Sequence, residues 1–228
     1  MNWKNFSEMA QSRFLDNIPP VTRNLLYVNL IMFVATLINP TFMKGAFSMA
    51  FPLSTEFRWW QPLTHMFMHD GFMHIFFNMY TLVMFGMVVE RALGTKRFIW
   101  FYLITGFGAV ALHTGVQFLQ VQQMIKEYPQ VEPQLIYNSV PGVLGASGAV
   151  YGVLVAFAML YPQARLTLIF PPITLDAKWW VVIFIAIELL TGITGTQMGV
   201  AHFAHLGGAL FGFLLIKYWK KSGKIYSR

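Results

Sequence analysis

The sequence predicts an all-α membrane protein, a bundle of six transmembrane helices in a single domain. Of its 228 residues, 56% are hydrophobic and only 11% are charged, whereas soluble proteins carry about 25% charged residues. The mean hydropathy is +0.54. Six apolar segments approach the length of roughly 17 to 25 residues that a helix needs to cross a bilayer. These observations indicate a multi-pass membrane protein.

The predicted spans account for most of the chain. We place them at residues 22–38, 73–90, 98–119, 145–161, 179–193 and 200–218. The predicted organisation is a cytoplasmic N-terminal segment, the membrane domain and a basic cytoplasmic tail, at residues 1–21, 22–218 and 219–228. Two long loops, at residues 39–71 and 120–144, lie on one side of the membrane in this arrangement.

The distribution of positive charge predicts the orientation, because loops rich in lysine and arginine stay in the cytoplasm. With the N-terminus inside, all 16 lysines and arginines except Lys44, Arg58 and Lys126 fall on the cytoplasmic side. The first twenty residues lack an apolar core followed by a cleavage site, so we expect no cleaved signal peptide. We therefore predict an N-in, C-in protein of the bacterial inner membrane.

Composition also argues against several kinds of partner and cofactor. The net charge of +7 could suit nucleic acid, but the basic residues lie between apolar segments and are not gathered on one face. The chain has no cysteine, which excludes disulfides and thiolate metal sites. We expect the lipid bilayer as a partner, no nucleic acid and no cofactor. The sequence gives no indication of the oligomeric state.

Polar side chains inside three predicted spans single out one candidate site. Polar groups in a span are costly and usually face a cavity or a partner. By the predicted topology all of them lie in the outer half of the membrane, which suggests that they come together. They are His65, His69, His74 and Asn78 around the second span, Ser147 and Tyr151 in the fourth, and His202 and His205 in the sixth.

Glycine spacing suggests how the fourth and sixth spans meet. Gly148 and Gly152 form a strip of small residues beside the face that carries the serine, and Gly208 and Gly212 form a second strip one turn after His205. Such strips let two membrane helices approach closely. We expect the two strips to pack against each other, which would bring the histidine within hydrogen-bond reach of the serine.

A serine beside a histidine predicts nucleophilic catalysis, because an imidazole can take the proton of an otherwise weak hydroxyl nucleophile. Ser147 is the predicted nucleophile and His205 the predicted general base. Gly145 and the start of a helix leave the Ser147 backbone N–H free to face a developing negative charge. His74 and Asn78 share a helix face and offer side-chain donors for the same oxyanion.

Taken together, these residues resemble the rhomboid family of intramembrane serine proteases. The likeness rests on GASG at residues 145–148, the tyrosine four residues after the serine, AHLGGALFG at 204–212, and HMFMHDGFMHIFFN at 65–78. It extends over residues 22–218. The resemblance implies a serine nucleophile at Ser147, a base at His205, oxyanion contacts from His74 and Asn78, and packing of Tyr151 against the catalytic histidine.

The resemblance also implies what kind of substrate the protein cleaves. The sequence departs from the family pattern in its first loop. Rhomboid substrates are transmembrane proteins whose spans unwind readily, with small residues at the cut. A Trp-Arg pair that the family often carries in its first loop is matched here by Trp60 and Gln61, with Arg58 slightly earlier. The pairing role of this loop is therefore open.

Competing interpretations remain for three groups of residues. His202 lies three residues before His205 on the same side of the helix, but the family register favours His205. The histidines could bind zinc, although the chain has no H-E-x-x-H motif and a metal site would leave Ser147 unexplained. Glu188 could be a third triad member, yet its spacing does not direct it at His205, so we expect a structural role. Glu90 is expected to be interfacial.

Two other functions are compatible with parts of this pattern. One is a non-enzymatic relative that binds transmembrane helices, against which the intact serine and histidine argue. The other is a transporter or channel, which would require polar groups through the whole bilayer. Here the polar groups stop halfway, so the sequence favours an intramembrane serine endopeptidase.

Overall fold

The computed structural model describes residues 16–168, 172–194 and 201–225. Its helices are α1 (Pro20–Ile38), α2 (Pro40–Phe47), α3 (Gln61–Thr64), α4 (Phe72–Leu93), α5 (Thr95–Glu127), α6 (Pro133–Ser139), α7 (Ser147–Leu160), α8 (Ala177–Thr194) and α9 (His202–Lys221). A 3₁₀ turn, His65–Phe67, follows α3, and a π-helical segment, Leu82–Gly86, lies within α4.

By length and composition, four of the described helices can cross a membrane: α1, α4, α5 and α8. Helix α7 is apolar but has only 14 residues, and α9 has 20 residues and ends with Lys220 and Lys221. The chain is thus a predominantly helical membrane protein. The count of six spans and the N-in, C-in orientation stay predictions. The division into an N-terminal segment, a membrane domain and a basic tail also stays a prediction. Residues 1–15 and 226–228, and the predicted start of the last span at Val200, lie outside the described residues.

Helix α5 is much longer than the span predicted for it. It has 33 residues and ends at Glu127, whereas the sequence predicted a loop from residue 120. The additional turns contain glutamine, lysine, glutamate and methionine, which are good helix formers. A hydropathy pattern predicts only the apolar part of a helix, and α5 continues for two turns beyond its apolar part.

The fold is also not purely α-helical in its described part. Strands β1 (Arg165–Thr167) and β2 (Thr174–Asp176) pair antiparallel between α7 and α8, with Leu166 opposite Leu175. The indole N–H of Trp180 at the start of α8 donates to the Leu166 carbonyl, 3.0 Å away. This short hairpin therefore connects to the helix that follows it.

Helix α7 lies at the centre of the bundle, packed against α5 and α9. A Cβ placed on Gly208 of α9 would lie 1.8 Å from the Gly148 carbonyl oxygen of α7, and one on Gly212 would lie 2.9 Å from the Gly152 Cα. The two glycine strips therefore face each other in backbone contact. The close approach depends on the absence of side chains at these positions.

Glu90, which was expected at the membrane interface, is buried against the start of α1. Its Oε1 accepts from the Val21 N–H at 3.0 Å, and its Oε2 accepts from the Thr22 N–H at 2.7 Å and the Thr22 hydroxyl at 2.8 Å. A carboxylate at a helix N-terminus satisfies N–H groups that lack intrahelical acceptors. The sequence could not indicate this contact, because the partners are about seventy residues apart.

Gln61 organises the loop between α1 and α4 from a fully buried position. Its Oε1 accepts from the Ala50 and Arg58 N–H groups, both at 3.1 Å. Its Nε2 donates to the Gly45 and Glu56 carbonyls at 3.3 and 3.1 Å. The amide thus uses both donors and accepts two hydrogen bonds. This glutamine therefore holds four backbone groups of the loop in place.

The same loop is joined to the segment that precedes α7. Met49 and Val143 exchange two backbone hydrogen bonds of 2.8 Å each. The Gly145 N–H donates to the His65 carbonyl at 2.9 Å. The loop therefore fixes the approach of the chain to Ser147.

We expect Gln61→Leu to lower the free energy of unfolding by about 2 to 5 kcal/mol. The substitution keeps the size of the side chain but leaves four backbone groups without partners, and an unsatisfied buried polar group costs about 1–3 kcal/mol, partly offset where water enters. Thermal unfolding in detergent micelles measures the change. Gln123→Leu, on an exposed face of α5, is the matched control, and equal midpoints for the two variants would contradict the expectation.

Candidate active site

Ser147 is the first residue of α7, reached through a backbone conformation that requires glycine. Gly145 has φ of +130°, in a region that L side chains rarely adopt, and a Cβ there would lie 2.9 Å from His74 Nε2. The first N–H groups of a helix have no intrahelical acceptor. The Ser147 hydroxyl and its own N–H are therefore presented together at the N-terminus of the central helix.

His205 of α9 is in hydrogen-bond contact with Ser147. The distance from His205 Nε2 to Ser147 Oγ is 2.8 Å, although the residues are 58 positions apart in the chain. The glycine contacts between α7 and α9 bring the two helices close enough for this hydrogen bond. The geometry is that of an imidazole able to receive the hydroxyl proton.

Tyr151, one turn after Ser147, packs flat against the His205 ring. The ring centroids are 4.4 Å apart with an angle of 6° between the planes. The Tyr151 hydroxyl donates to Glu188 Oε1 at 2.5 Å. Tyr151 stacks on the His205 ring and is itself held by the hydrogen bond from its hydroxyl to Glu188. The stacking therefore restricts how the His205 ring can rotate.

Glu188 of α8, for which the sequence favoured a structural role, lies against two histidines of α9. Its spacing gave no reason to direct it at His205, yet its Oε1 lies 2.8 Å from His205 Nδ1. Its Oε2 lies 2.6 Å from His202 Nδ1. One signal was available in the sequence: an ionisable residue inside a span is a site candidate by default. Which helix it faces depends on the packing of α8 against α9, which spacing does not contain.

The sequence left His202 as an alternative to His205 for the general base. The two histidines have different contacts in the structure. The Nδ1 atom of His202 faces Glu188 and, at 3.1 Å, the Thr191 hydroxyl. Its Nε2 is buried and has no hydrogen-bond partner among the residues that the structure describes. Only His205 of this pair contacts Ser147.

His74 and Asn78 of α4 line the same cavity as Ser147. The Asp70 N–H donates to His74 Nδ1 at 3.3 Å, which leaves the ring hydrogen on Nε2, the atom that faces Gly145 and the serine. The Asn78 side-chain NH₂ donates to the His74 carbonyl at 2.9 Å. His74 is thus a ready donor towards the site, and Asn78 both lines the cavity and is tied to its own helix.

The cavity has a volume of about 690 Å³ and lies between α4, the segment before α7, and the helices α8 and α9. The remaining wall is largely apolar, with Phe77 and Phe184 on α4 and α8. The polar side chains on the wall are Asp70, His74, Asn78, Thr81, Ser147, Tyr151 and His205. A neighbouring cavity of about 290 Å³ contains His113 and Gln117 of α5, which the sequence analysis did not single out. The two cavities share Gly142, Val143 and Ala201.

His65 and His69 lie before α4 and do not contact Ser147. Burial lowers the pKa of His65 to about 4. Burial, and then the neighbouring His74, lowers the pKa of His69 to about 3, so both rings are neutral at pH 7. Within residues 16–168, 172–194 and 201–225, no group of three or more His, Asp or Glu side chains could hold a metal ion.

A family model for the rhomboid domain matches residues 56–221 of this chain. The chain belongs to the rhomboid family. This match confirms the resemblance of the sequence motifs, and family membership implies an intramembrane serine protease, a membrane-bound hydrolase.

Individual relatives agree with the family match. The rhomboid protease AarA of Providencia stuartii is 27% identical over 219 residues, which cover 92% of this chain and 76% of the relative. The mitochondrial presenilin-associated rhomboid-like protein of Rattus norvegicus is 31% identical over 67% of this chain and 36% of its own length. The mitochondrial RHOMBOID-like protein 6 of Arabidopsis thaliana is 32% identical over 68% of this chain. The chain spans only 36% and 42% of the lengths of the two mitochondrial relatives.

Proposed function

We propose that this protein is an intramembrane serine endopeptidase that cleaves transmembrane proteins near the outer face of the membrane through a Ser147–His205 dyad. The observation that carries the proposal is the 2.8 Å contact between His205 Nε2 and Ser147 Oγ on the wall of a cavity large enough for a peptide segment. The family membership supports the same reaction class.

The proposed reaction proceeds in two steps. His205 Nε2 takes the hydroxyl proton while Ser147 Oγ attacks the scissile carbonyl carbon, and the peptide C–N bond breaks as His205 returns the proton to the leaving amine. The products of this step are a Ser147 acyl ester and a new amino terminus. Water then attacks the ester with the same base, which frees the carboxyl product and restores the serine.

The negative charge that develops on the carbonyl oxygen needs donors that are already in place. The Ser147 N–H at the start of α7 and the His74 Nε2–H are the proposed donors, with Asn78 beside them on the cavity wall. The loss of one such donor typically costs about 10²- to 10³-fold in rate. Gly145 keeps the space between His74 and the serine open.

The outer-face location follows from the predicted topology. The positive charges assign the loop before α4 and the segment before α7 to the outer side, and Ser147 begins α7 directly after that segment. A substrate helix must unwind before its backbone is open to attack. The family resemblance implies substrates with small residues at the cut. The apolar cavity wall formed by Phe77 and Phe184 suits an extended segment that comes from lipid.

The proposal predicts labelling and cleavage at one serine. Reconstituted into liposomes with a labelled transmembrane substrate, the wild-type protein is expected to react with a fluorophosphonate at Ser147 and to cut the substrate near its outer boundary. Mass spectrometry of the labelled peptide and of the two products measures both sites. Labelling of a different serine, a cut at the opposite boundary, or cleavage abolished by a chelator would contradict the proposal.

A further inference from the structure

The carboxylate of Glu188 lies against three side chains at the centre of the site. Its Oε1 lies 2.8 Å from His205 Nδ1 and accepts from the Tyr151 hydroxyl at 2.5 Å. Its Oε2 lies 2.6 Å from His202 Nδ1. Only 8% of Glu188 is exposed. An ionised carboxylate is a pure acceptor, so the charged form of Glu188 favours a hydrogen on the Nδ1 atom of each histidine.

His205 lies between this carboxylate and the serine. A neutral imidazole carries one ring hydrogen, and the nitrogen that bears it is set by the hydrogen bond that the nitrogen makes. With Nδ1 bound to Glu188, the lone pair of Nε2 is directed at Ser147 Oγ, 2.8 Å away. This is the tautomer that a general base requires.

We propose that Glu188 is a positioning residue that completes a Ser147–His205–Glu188 triad, holding His205 in the Nδ1–H tautomer and stabilising its imidazolium form during catalysis. The inference rests on the proposed function of the dyad and adds a third residue to it. The carboxylate does not touch substrate. It acts on the reaction through His205.

The electrostatics of the step support this role. When Ser147 gives its proton to His205, a positive charge forms on a side chain that is only 12% exposed, and burying an unpaired charge is costly. The Glu188 carboxylate at 2.8 Å supplies the opposite charge at fixed distance. The imidazolium is thus paired as it forms, without rearrangement of the surrounding groups.

A purely structural role would predict a different set of effects. If Glu188 served only to join α8 to α9, its contact with His202 would matter as much as its contact with His205. The Oε2–His202 contact can serve packing alone, whereas the Oε1 atom contacts both His205 and the tyrosine that stacks on it. Substitutions at the two partners therefore distinguish the roles.

We expect Glu188→Gln to lower kcat by up to about 10⁴-fold with KM within about threefold, because loss of the acid of a serine protease triad costs about 10⁴-fold in kcat. The amide keeps the shape but offers a donor and a neutral acceptor. His202→Asn, which keeps a donor towards Oε2, is expected to change kcat less than tenfold. Glu127→Gln, at the exposed end of α5, is the control for loss of one negative charge.

The ring tautomer provides a measurement that does not depend on proteolysis. Solid-state NMR of protein labelled with ¹⁵N in its histidine rings, reconstituted in lipid, distinguishes Nδ1–H from Nε2–H, and a His205→Asn sample assigns the signal. We expect the Nδ1–H form of His205 in the wild type and a mixture or the Nε2–H form in Glu188→Gln.

These outcomes separate the inference from the proposed function. An Nε2–H form of His205 in the wild type overturns the inference, even if the Glu188 variant fails to fold. An unchanged tautomer in Glu188→Gln, or a fall in kcat of less than threefold, overturns it as well. A wild-type protein that neither cleaves nor reacts with the fluorophosphonate overturns the proposed protease function, while the tautomer still reports on Glu188.

Discussion

Ser147→Ala and His205→Ala are each expected to lower the cleavage rate by roughly 10⁴- to 10⁶-fold, and the double variant is expected to be no slower than either single variant. The residues share one hydrogen bond of 2.8 Å, and groups that act as a unit in a serine protease are strongly non-additive. Without the hydroxyl there is no nucleophile, and without the imidazole its proton has no acceptor. Initial rates on a reconstituted transmembrane substrate measure all three variants.

His65→Ala is the control for the loss of a buried histidine that does not contact Ser147. The unfolding midpoint of Ser147→Ala should stay close to that of the wild type, because the substitution removes a single oxygen atom on the wall of a cavity. A His205→Ala protein that keeps more than a tenth of wild-type activity, or a double variant slower than both singles by another factor of 10² or more, would contradict the expectation.

Gly208→Ala is expected to cost about 1 to 3 kcal/mol of stability and at least tenfold in kcat. The added methyl group would lie 1.8 Å from the Gly148 carbonyl oxygen. A backbone atom cannot rotate away as a side chain can, so α7 and α9 must move apart, and overpacking of this kind typically costs 1–3 kcal/mol. The same displacement lengthens the contact between Ser147 and His205, which lie on these two helices. Unfolding in micelles and initial cleavage rates measure the two effects.

Gly115→Ala on α5 is the matched control, since an added Cβ there meets no atom of the described part of the chain within 4 Å. It should leave activity unchanged and stability equal or slightly higher, because alanine favours a helix more than glycine does. If Gly208→Ala behaves like Gly115→Ala in both measurements, the close contact of the two glycine strips is wrong.

The residues of the candidate site differ in how far the sequence could identify them. Ser147, His205, His74 and Asn78 are polar groups in apolar segments, where their cost makes them conspicuous. Helical spacing also placed Tyr151 on the face of Ser147 and each glycine strip on one side of its helix. These spacings extend over only one or two turns of a single helix, so they can be predicted from the sequence.

Glu188, Glu90 and Gln61 are the residues for which the sequence was least informative. Each forms its decisive contacts with groups outside its own helix: Glu188 with two histidines of α9, Glu90 with the start of α1, and Gln61 with four loop backbone groups. Polarity alone made them noticeable. Their partners depend on how distant segments pack, which no local pattern records.

The sequence by itself determined the membrane class, the family, most of the helices and the identity of the dyad candidates, because hydropathy and helical period act over a few residues. Only the tertiary structure decided that α5 continues to Glu127, that a short hairpin precedes α8, and that Glu188 faces His205. The physical reason is that hydrogen bonds and glycine contacts between helices form between residues far apart in the chain. Their geometry exists only after the bundle has packed.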